Sequence, residues 1–258
     1  MTANHCAAQR SIDVATQALT RGGPVLIAHG DQDQRVADVM IAAAQATPKS
    51  TAWLIKYSSG LLCAAMPGSR ADHLELPPMA RSHDPARQAP QFAVAVDAAE
   101  GIGTGISATD RACTARVLAT SASRPDDLVR PGHVLPIRTA AYGVLSHRSS
   151  HEAAVDLCSI AGLPPVGLSA ALLGNDGAEL RGPAVLAFAQ AHDVPMVCLE
   201  DVVHHRLYHG DPVLRRVRAV REDTAGSVDR LPGAWPAVLF EDPMSADNPM
   251  VYVLTECS

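Results

Sequence analysis

Along residues 11–19 the apolar positions Ile12, Ala15 and Leu19 fall on one stripe, which predicts a short amphipathic helix ended by Gly22, Gly23 and Pro24. The apolar run 25–28 predicts a buried strand, and His29, Gly30, Asp31, Gln32 and Asp33 read as the polar loop after it. Residues 38–47 are almost wholly apolar, which predicts a helix buried on most sides. Two strand-like runs follow, 52–55 and 61–64, around a Ser58-Ser59-Gly60 turn. Residues 81–90 are polar and contain prolines, a candidate lid, and 92–96 form another strand. A helix is expected over 152–161, entered through a Ser149–Glu152 capping box and stopped by Gly162 and Pro164. A further helix spans 183–192 with Pro183 in its first turn, before a short strand at 197–199 and a last stretch at 201–208. Strands and helices alternate irregularly, so the fold class is α/β (α+β) with a mixed sheet and surrounding helices.

The pattern changes after Tyr208: residues 210–230 are charged and Arg-rich, a linker, and 231–258 are strand-like and broken by prolines. The expected division is one domain over 1–209 and a linker with a short C-terminal extension over 210–258.

One stretch does not fit a core. Gly103-Thr104-Gly105-Ile106-Ser107-Ala108-Thr109-Asp110-Arg111 reads as a tight glycine turn entering a helix that Ser107 caps, with Asp110 at capping-box spacing. Further on, Arg130-Pro131-Gly132-His133-Val134-Leu135-Pro136 holds one imidazole in a stiff frame. A polar, stiffened loop pair in a chain rich in Ala, Val and Leu predicts a site.

Composition narrows the function classes. A formal charge of -6 without a basic stripe argues against nucleic acid. No run approaches the ~18 apolar residues of a membrane span, and residues 1–10 lack the apolar region of a secretory signal. The 6 cysteines are scattered without a CxxC pair, which fits reduced thiols and a cytoplasmic location. A small-molecule substrate is the expected partner.

The two polar segments resemble the TGxSAxDR and RPGHVxPL signatures of the 3,4-dihydroxy-2-butanone 4-phosphate synthase family, and the resemblance runs from about Ile12 to Tyr208. It implies that family's single domain, a homodimer with pockets at the subunit interface, and a reaction that converts ribulose 5-phosphate, with Mg²⁺, to formate and a four-carbon ketone phosphate. Leu231-Pro232 with Trp235, and Val253 to Cys257, resemble the opening of a GTP cyclohydrolase II domain, of which the tail is expected to be a vestige without cyclohydrolase activity.

The residues matching the family's chemistry are partly replaced. Its acidic loop DDEDRENEGD is His29 to Asp38 here: the metal-binding Glu position holds Gln34, the neighbouring Arg position holds Asp33, and Asp38 is retained. An amide is a poorer magnesium ligand than a carboxylate. The family's RxGHTE segment reads His147-Arg148-Ser149-Ser150-His151-Glu152, so the metal-ligand His is Ser150, and the phosphate-gripping Arg and Thr are His147 and His151. The acid/base Glu of a later strand falls on Ala171.

By that resemblance the candidate catalytic residues are His133, Asp38, Cys63 and Asp110, and the candidate substrate-binding residues are Thr104, Arg111, Asp33, Arg35, His147 and His151. Asp110 also reads as a helix cap and Cys63 as a buried small hydrophobe. No metal ligand is assigned and no cofactor is fixed, although the family implies Mg²⁺. The leading expectation is a repurposed enzyme, metal-independent or differently metallated, acting on a small carbonyl or polyol in a specialised biosynthetic pathway with His133 moving protons. The alternatives are a non-catalytic binding or regulatory paralogue and a genuine synthase of riboflavin biosynthesis with an altered metal site.

Overall fold

The computed structural model describes residues 3–80, 91–209, 237–240 and 250–253. In chain order these form α1 (Ala3–Thr20), β1 (Val25–His29), β2 (Val36–Ala42), α2 (Pro48–Lys56), β3 (Cys63–Pro67), α3 (Gly68–His73), β4 (Gln91–Phe92) and β5 (Val96–Ala98). There follow α4 (Ala108–Ala119), β6 (Leu128–Thr139), α5 (Ser150–Ile160), β7 (Gly167–Ala171), α6 (Pro183–Ala191), β8 (Met196–Cys198) and α7 (Leu199–His209). Two compact units divide the chain, Met1–Arg206 and Leu207–Ser258. In the second, β9 (Ala237–Phe240) and β10 (Met250–Val253) pair antiparallel. The candidate lid at 81–90 and most of 210–258 lie outside the described residues. No helix among the described residues is long and apolar enough to cross a membrane.

One mixed sheet organises the first unit, in the order β4-β6-β3-β7-β2-β1-β8, with β5 also paired to β6. Two parallel pairs (β3 with β6, β1 with β8) flank three consecutive antiparallel ones (β3 with β7, β7 with β2, β2 with β1). Because side chains alternate across a strand, register sorts the residues onto two faces. Leu26, Val39, Ala170, Leu168, Ala64 and Val134 share one face and form the main core with Leu54 of α2 and Ala112, Ala115 and Leu118 of α4. The opposite face carries Ile27, Asp38, Ala171, Ser169, Cys63 and Leu135 in a line across five strands, and α5 packs over it. His133 stands two residues before Leu135, in the stretch 130–133 of β6 that its pairing with β5 skips.

Two expected elements are exchanged. Residues 38–47, expected to be helical, form β2 followed by one 3-10 turn. β2 lies between β1 and β7 and is buried on both faces, and apolar periodicity alone does not separate such a strand from a buried helix. Residues 52–55, expected as a strand, belong to α2, which starts at a Thr47–Ser50 capping box with Pro48 in the first turn. Trp53 of α2 meets Tyr57, Phe188 and His192, with ring centroids 4.8 to 6.2 Å from its own, a ring cluster joining α2 to α6.

Candidate functional site

The glycine turn 101–107 enters α4 as the sequence predicts. Ser107 caps the helix by accepting the Asp110 N–H at 3.1 Å. The Asp110 carboxylate reaches back and accepts the N–H groups of Gly103 (3.2 Å) and Gly105 (3.1 Å). The Gly103 bond above all holds the Asp110 pKa below the ordinary carboxylate range. Arg111, also buried, donates from Nη1 to the Gly60 carbonyl at 2.6 Å and so ties the 58–60 turn to α4. Thr104 is exposed at the tip of the turn.

His133 meets a carboxylate that was not singled out in the sequence. Asp97 of β5, where the pairing with β6 shifts register past residues 130–133, accepts the His133 backbone N–H through Oδ1 at 2.9 Å and contacts ring Nδ1 through Oδ2 at 2.7 Å. The Asp97 side chain is 6% exposed and the His133 side chain 41%, so the imidazole joins a buried acid to solvent. A charged residue in the apolar run 92–98 is the one sequence signal for Asp97.

A second polar group surrounds Asp38. His29 Nε2 lies 3.6 Å from Asp38 Oδ2, and Ser150 and His151 are within electrostatic reach. Burial pushes the Asp38 carboxyl up, but His29, Ser150 and His151 outweigh it and leave the pKa below the ordinary value. The same contact with Asp38 raises the His29 pKa, against burial. Burial lowers that of His151, whose Nδ1 is enclosed without a hydrogen-bond partner. His147 lies before α5 and pairs through Nδ1 with Glu152 at 3.2 Å; Glu152 also accepts from Ser149 and, at 3.3 Å, from the Ala140 N–H. Cys63 lies on the same sheet face, and burial, helped by Asp38, pushes its thiol up to about 11. Ala171 is directly opposite Asp38 on β7 and offers no carboxylate.

Asp33 and Arg35 sit in the β1–β2 loop, placed by its backbone: the Arg35 carbonyl accepts from Gly182 N–H at 2.8 Å, and Gly182 lies against the Asp33 carbonyl. Gln34 is exposed in that loop. The structure thus gathers His29, Asp38, Cys63, Ser150 and His151 around one carboxylate, sets His147 on Glu152, and holds His133 on Asp97.

These residues do not fit a magnesium ion. Mg²⁺ requires several hard oxygen ligands in near-octahedral array. Asp38 is the one carboxylate at the centre of this group, it is faced by imidazoles, and the positions that should add ligands carry Gln34, Ser150 and Ala171. No group of three or more His, Cys, Asp or Glu among the described residues is disposed to hold a metal.

Comparison with known proteins extends over the same part of the chain. The family model of 3,4-dihydroxy-2-butanone 4-phosphate synthase matches residues 13–205. The chain is 38% identical over 196 residues to a riboflavin biosynthesis protein RibBA of Salinispora tropica, covering 76% of this chain and 49% of that protein. It therefore spans about half the length of that relative. It is 38% identical over 202 residues to the 3,4-dihydroxy-2-butanone 4-phosphate synthase of Chromobacterium violaceum, covering 78% of this chain and 96% of the relative. The crystal structure of the Candida albicans 3,4-dihydroxy-2-butanone 4-phosphate synthase superimposes with a TM-score of 0.70 at 34% identity, covering 75% of this chain and 96% of that one.

Proposed function

Because the chain belongs to the 3,4-dihydroxy-2-butanone 4-phosphate synthase family, we propose that it is an enzyme on that scaffold whose chemistry has moved away from the magnesium-dependent reaction. The reading is proton transfer on a small carbonyl or polyol metabolite in a specialised biosynthetic pathway. His133 would take a proton from carbon or oxygen and return it elsewhere on the same molecule, as isomerisation or dehydration requires. An imidazole is the side chain whose ordinary titration range suits it to carry protons near neutral pH. The observation that carries this reading is the Asp38 carboxylate, paired with His29 and facing Ala171 and Ser150. A charge that a divalent ion would neutralise is met by an imidazole. The functional unit is taken to be a cytoplasmic homodimer.

A second reading is favoured by the 38% identity to a named synthase and by the matching Cys63, His133, Thr104 and Arg111: a genuine synthase of riboflavin biosynthesis with an altered metal site. Incubation with ribulose 5-phosphate and Mg²⁺, with formate assayed, separates the two. No formate above a His133→Ala control is the expected result. Magnesium-dependent formate that disappears in that variant would establish the second reading instead. Exchange of substrate hydrogens with D₂O, tested across unphosphorylated ketoses and 2-keto polyols, separates the first reading from a non-catalytic binding paralogue.

A further inference from the structure

Two helices at one edge of the sheet lead into neighbouring strands that run in the same direction. α1 leads into β1 and α6 into β8, and β1 and β8 pair in parallel with Leu26 beside Met196. Among the described residues β8 is the last strand on that side. Beside it, between the two helices, lies an open cleft of about 670 Å³, lined at the strand by Pro195 and Met196. Its size falls in the ~300–1,000 Å³ range of small-molecule sites. It shares no residue with the groups around Asp38, Glu152 or Asp97.

The two walls carry the same chemical order. On the first, Val14, Gln17 and Arg21 fall on successive turns of one stripe, next to the buried Ile12, Ala15 and Leu19. On the second, Leu186, Gln190 and Asp193 do the same. Both helices end where their strands begin, so each wall reads from an apolar residue, through an amide, to a charge just past the helix end. Val14 and Leu186 are each nearly half exposed, and an apolar group between them would cover surface that water now wets.

The two charges are opposite and do not meet. Among the described residues no ion pair contains Arg21 or Asp193. Arg21 Nη2 contacts Gln17 Oε1 at 3.5 Å, the limit of a hydrogen bond, and its guanidinium suits a carboxylate better. Asp193, at φ +51°, adopts a left-handed backbone and sets its carboxylate at the negative end of the α6 dipole. A cation seated beside it would offset that unfavourable charge. An acid and a base at one end of a cleft, with an apolar trough leading away, match a zwitterion that carries an apolar chain.

We propose that this cleft is a second binding site, which takes a free α-amino acid with a large apolar side chain. The carboxylate lies on Arg21, the ammonium on Asp193 and the side chain between Val14 and Leu186. The amides of Gln17 and Gln190 complete the polar end with donors and acceptors of both kinds. The inference does not rest on the proton chemistry proposed above.

Full-length protein is titrated with L-phenylalanine, L-leucine and L-methionine by calorimetry, with ligand-detected NMR for weaker compounds. At least one should bind with a dissociation constant of about 1 mM or tighter. Glycine, without the apolar chain, should bind at least about tenfold more weakly. The amide of the amino acid that binds, without its carboxylate, and the N-acetyl form, without its ammonium, should each lose about tenfold. Arg21→Gln should weaken the parent amino acid about tenfold and leave the residual binding of the amide unchanged. Asp193→Asn should weaken the parent likewise and leave the N-acetyl form unchanged. Both positions are exposed and asparagine tolerates the left-handed backbone, so these variants keep the fold. No binding by any of the three, undiminished binding of either derivative, or unchanged affinity in either variant overturns the inference. A capped leucine dipeptide that binds better than the amino acids would identify strand addition on β8 instead, and overturns it as well.

Discussion

At Cys63 the sheet holds a thiol between Ser169 of β7 and Leu135 of β6, and burial pushes its pKa up to about 11. Such a thiol is almost entirely protonated at neutral pH, and alkylation proceeds through the thiolate. Iodoacetamide at pH 7.5, followed by mass spectrometry, should therefore label Cys63 roughly two orders of magnitude more slowly than an unshifted thiol. The His29–Asp38 pair gives a second residue-scale expectation. The His29 pKa is raised, so its contribution to stability is present below its unfolded value of 6.5 and is lost as pH rises through the folded value. The Asp38 pKa is lowered, so its contribution is present above 3.8 and is lost as pH falls through the folded value. The two overlap between 3.8 and 6.5. The difference in denaturant midpoint between wild type and His29→Ala should be largest there and shrink by pH 9, with a size of at most about 1 kcal/mol because His29 is half-exposed. Asp38 and His133 were legible in the sequence through flanking motifs. Asp97 was not, because nothing local distinguishes a clamping carboxylate from an edge charge until the register shift between β5 and β6 brings the imidazole to it.

At the scale of elements, signals written in neighbouring residues survived and signals that depended on partners did not. The Ser107 cap, the Ser149 cap and the proline start of α6 all formed where the residues call for them. The Thr47–Ser50 box with Pro48 was equally local, yet Trp53 and Ile55 suggested a strand; the helix forms because it buries Ser50, Thr51 and Leu54, the last in the core with α4. Replacing Thr47 by Ala removes the side-chain acceptor for the Ser50 N–H and should cost about 1 kcal/mol. Urea denaturation followed by circular dichroism measures this, and a Thr47→Ser control should recover most of the loss. β2 was illegible for the opposite reason. Its identity comes from strands on both sides, Val25 to His29 and Gly167 to Ala171, which are remote in sequence.

For the whole molecule, the unit Met1–Arg206 contains the complete eight-stranded sheet and its core. A chain ending at residue 209 should accordingly unfold in one cooperative transition, visible by calorimetry as agreement between calorimetric and van't Hoff enthalpies. Two separated transitions, or none, would mean that the sheet is not self-sufficient. The α/β class and the mixed sheet followed from the irregular alternation of elements. The order of the strands did not, since β7 inserts between β3 and β2 only through long-range pairing. That insertion sets Asp38 opposite Ala171 and Cys63 opposite Ser169.

The rings joining α2 to α6 give this protein a built-in optical reporter. Of the 2 tryptophans in the chain, Trp53 alone falls within the sheet-bearing unit, and it touches Tyr57, Phe188 and His192. Its emission should follow the separation of two helices far apart in sequence without any added label. In a chain truncated at residue 209 that signal has a single source, so time-resolved fluorescence can watch this corner open during refolding, independently of whatever ligand the sheet face receives.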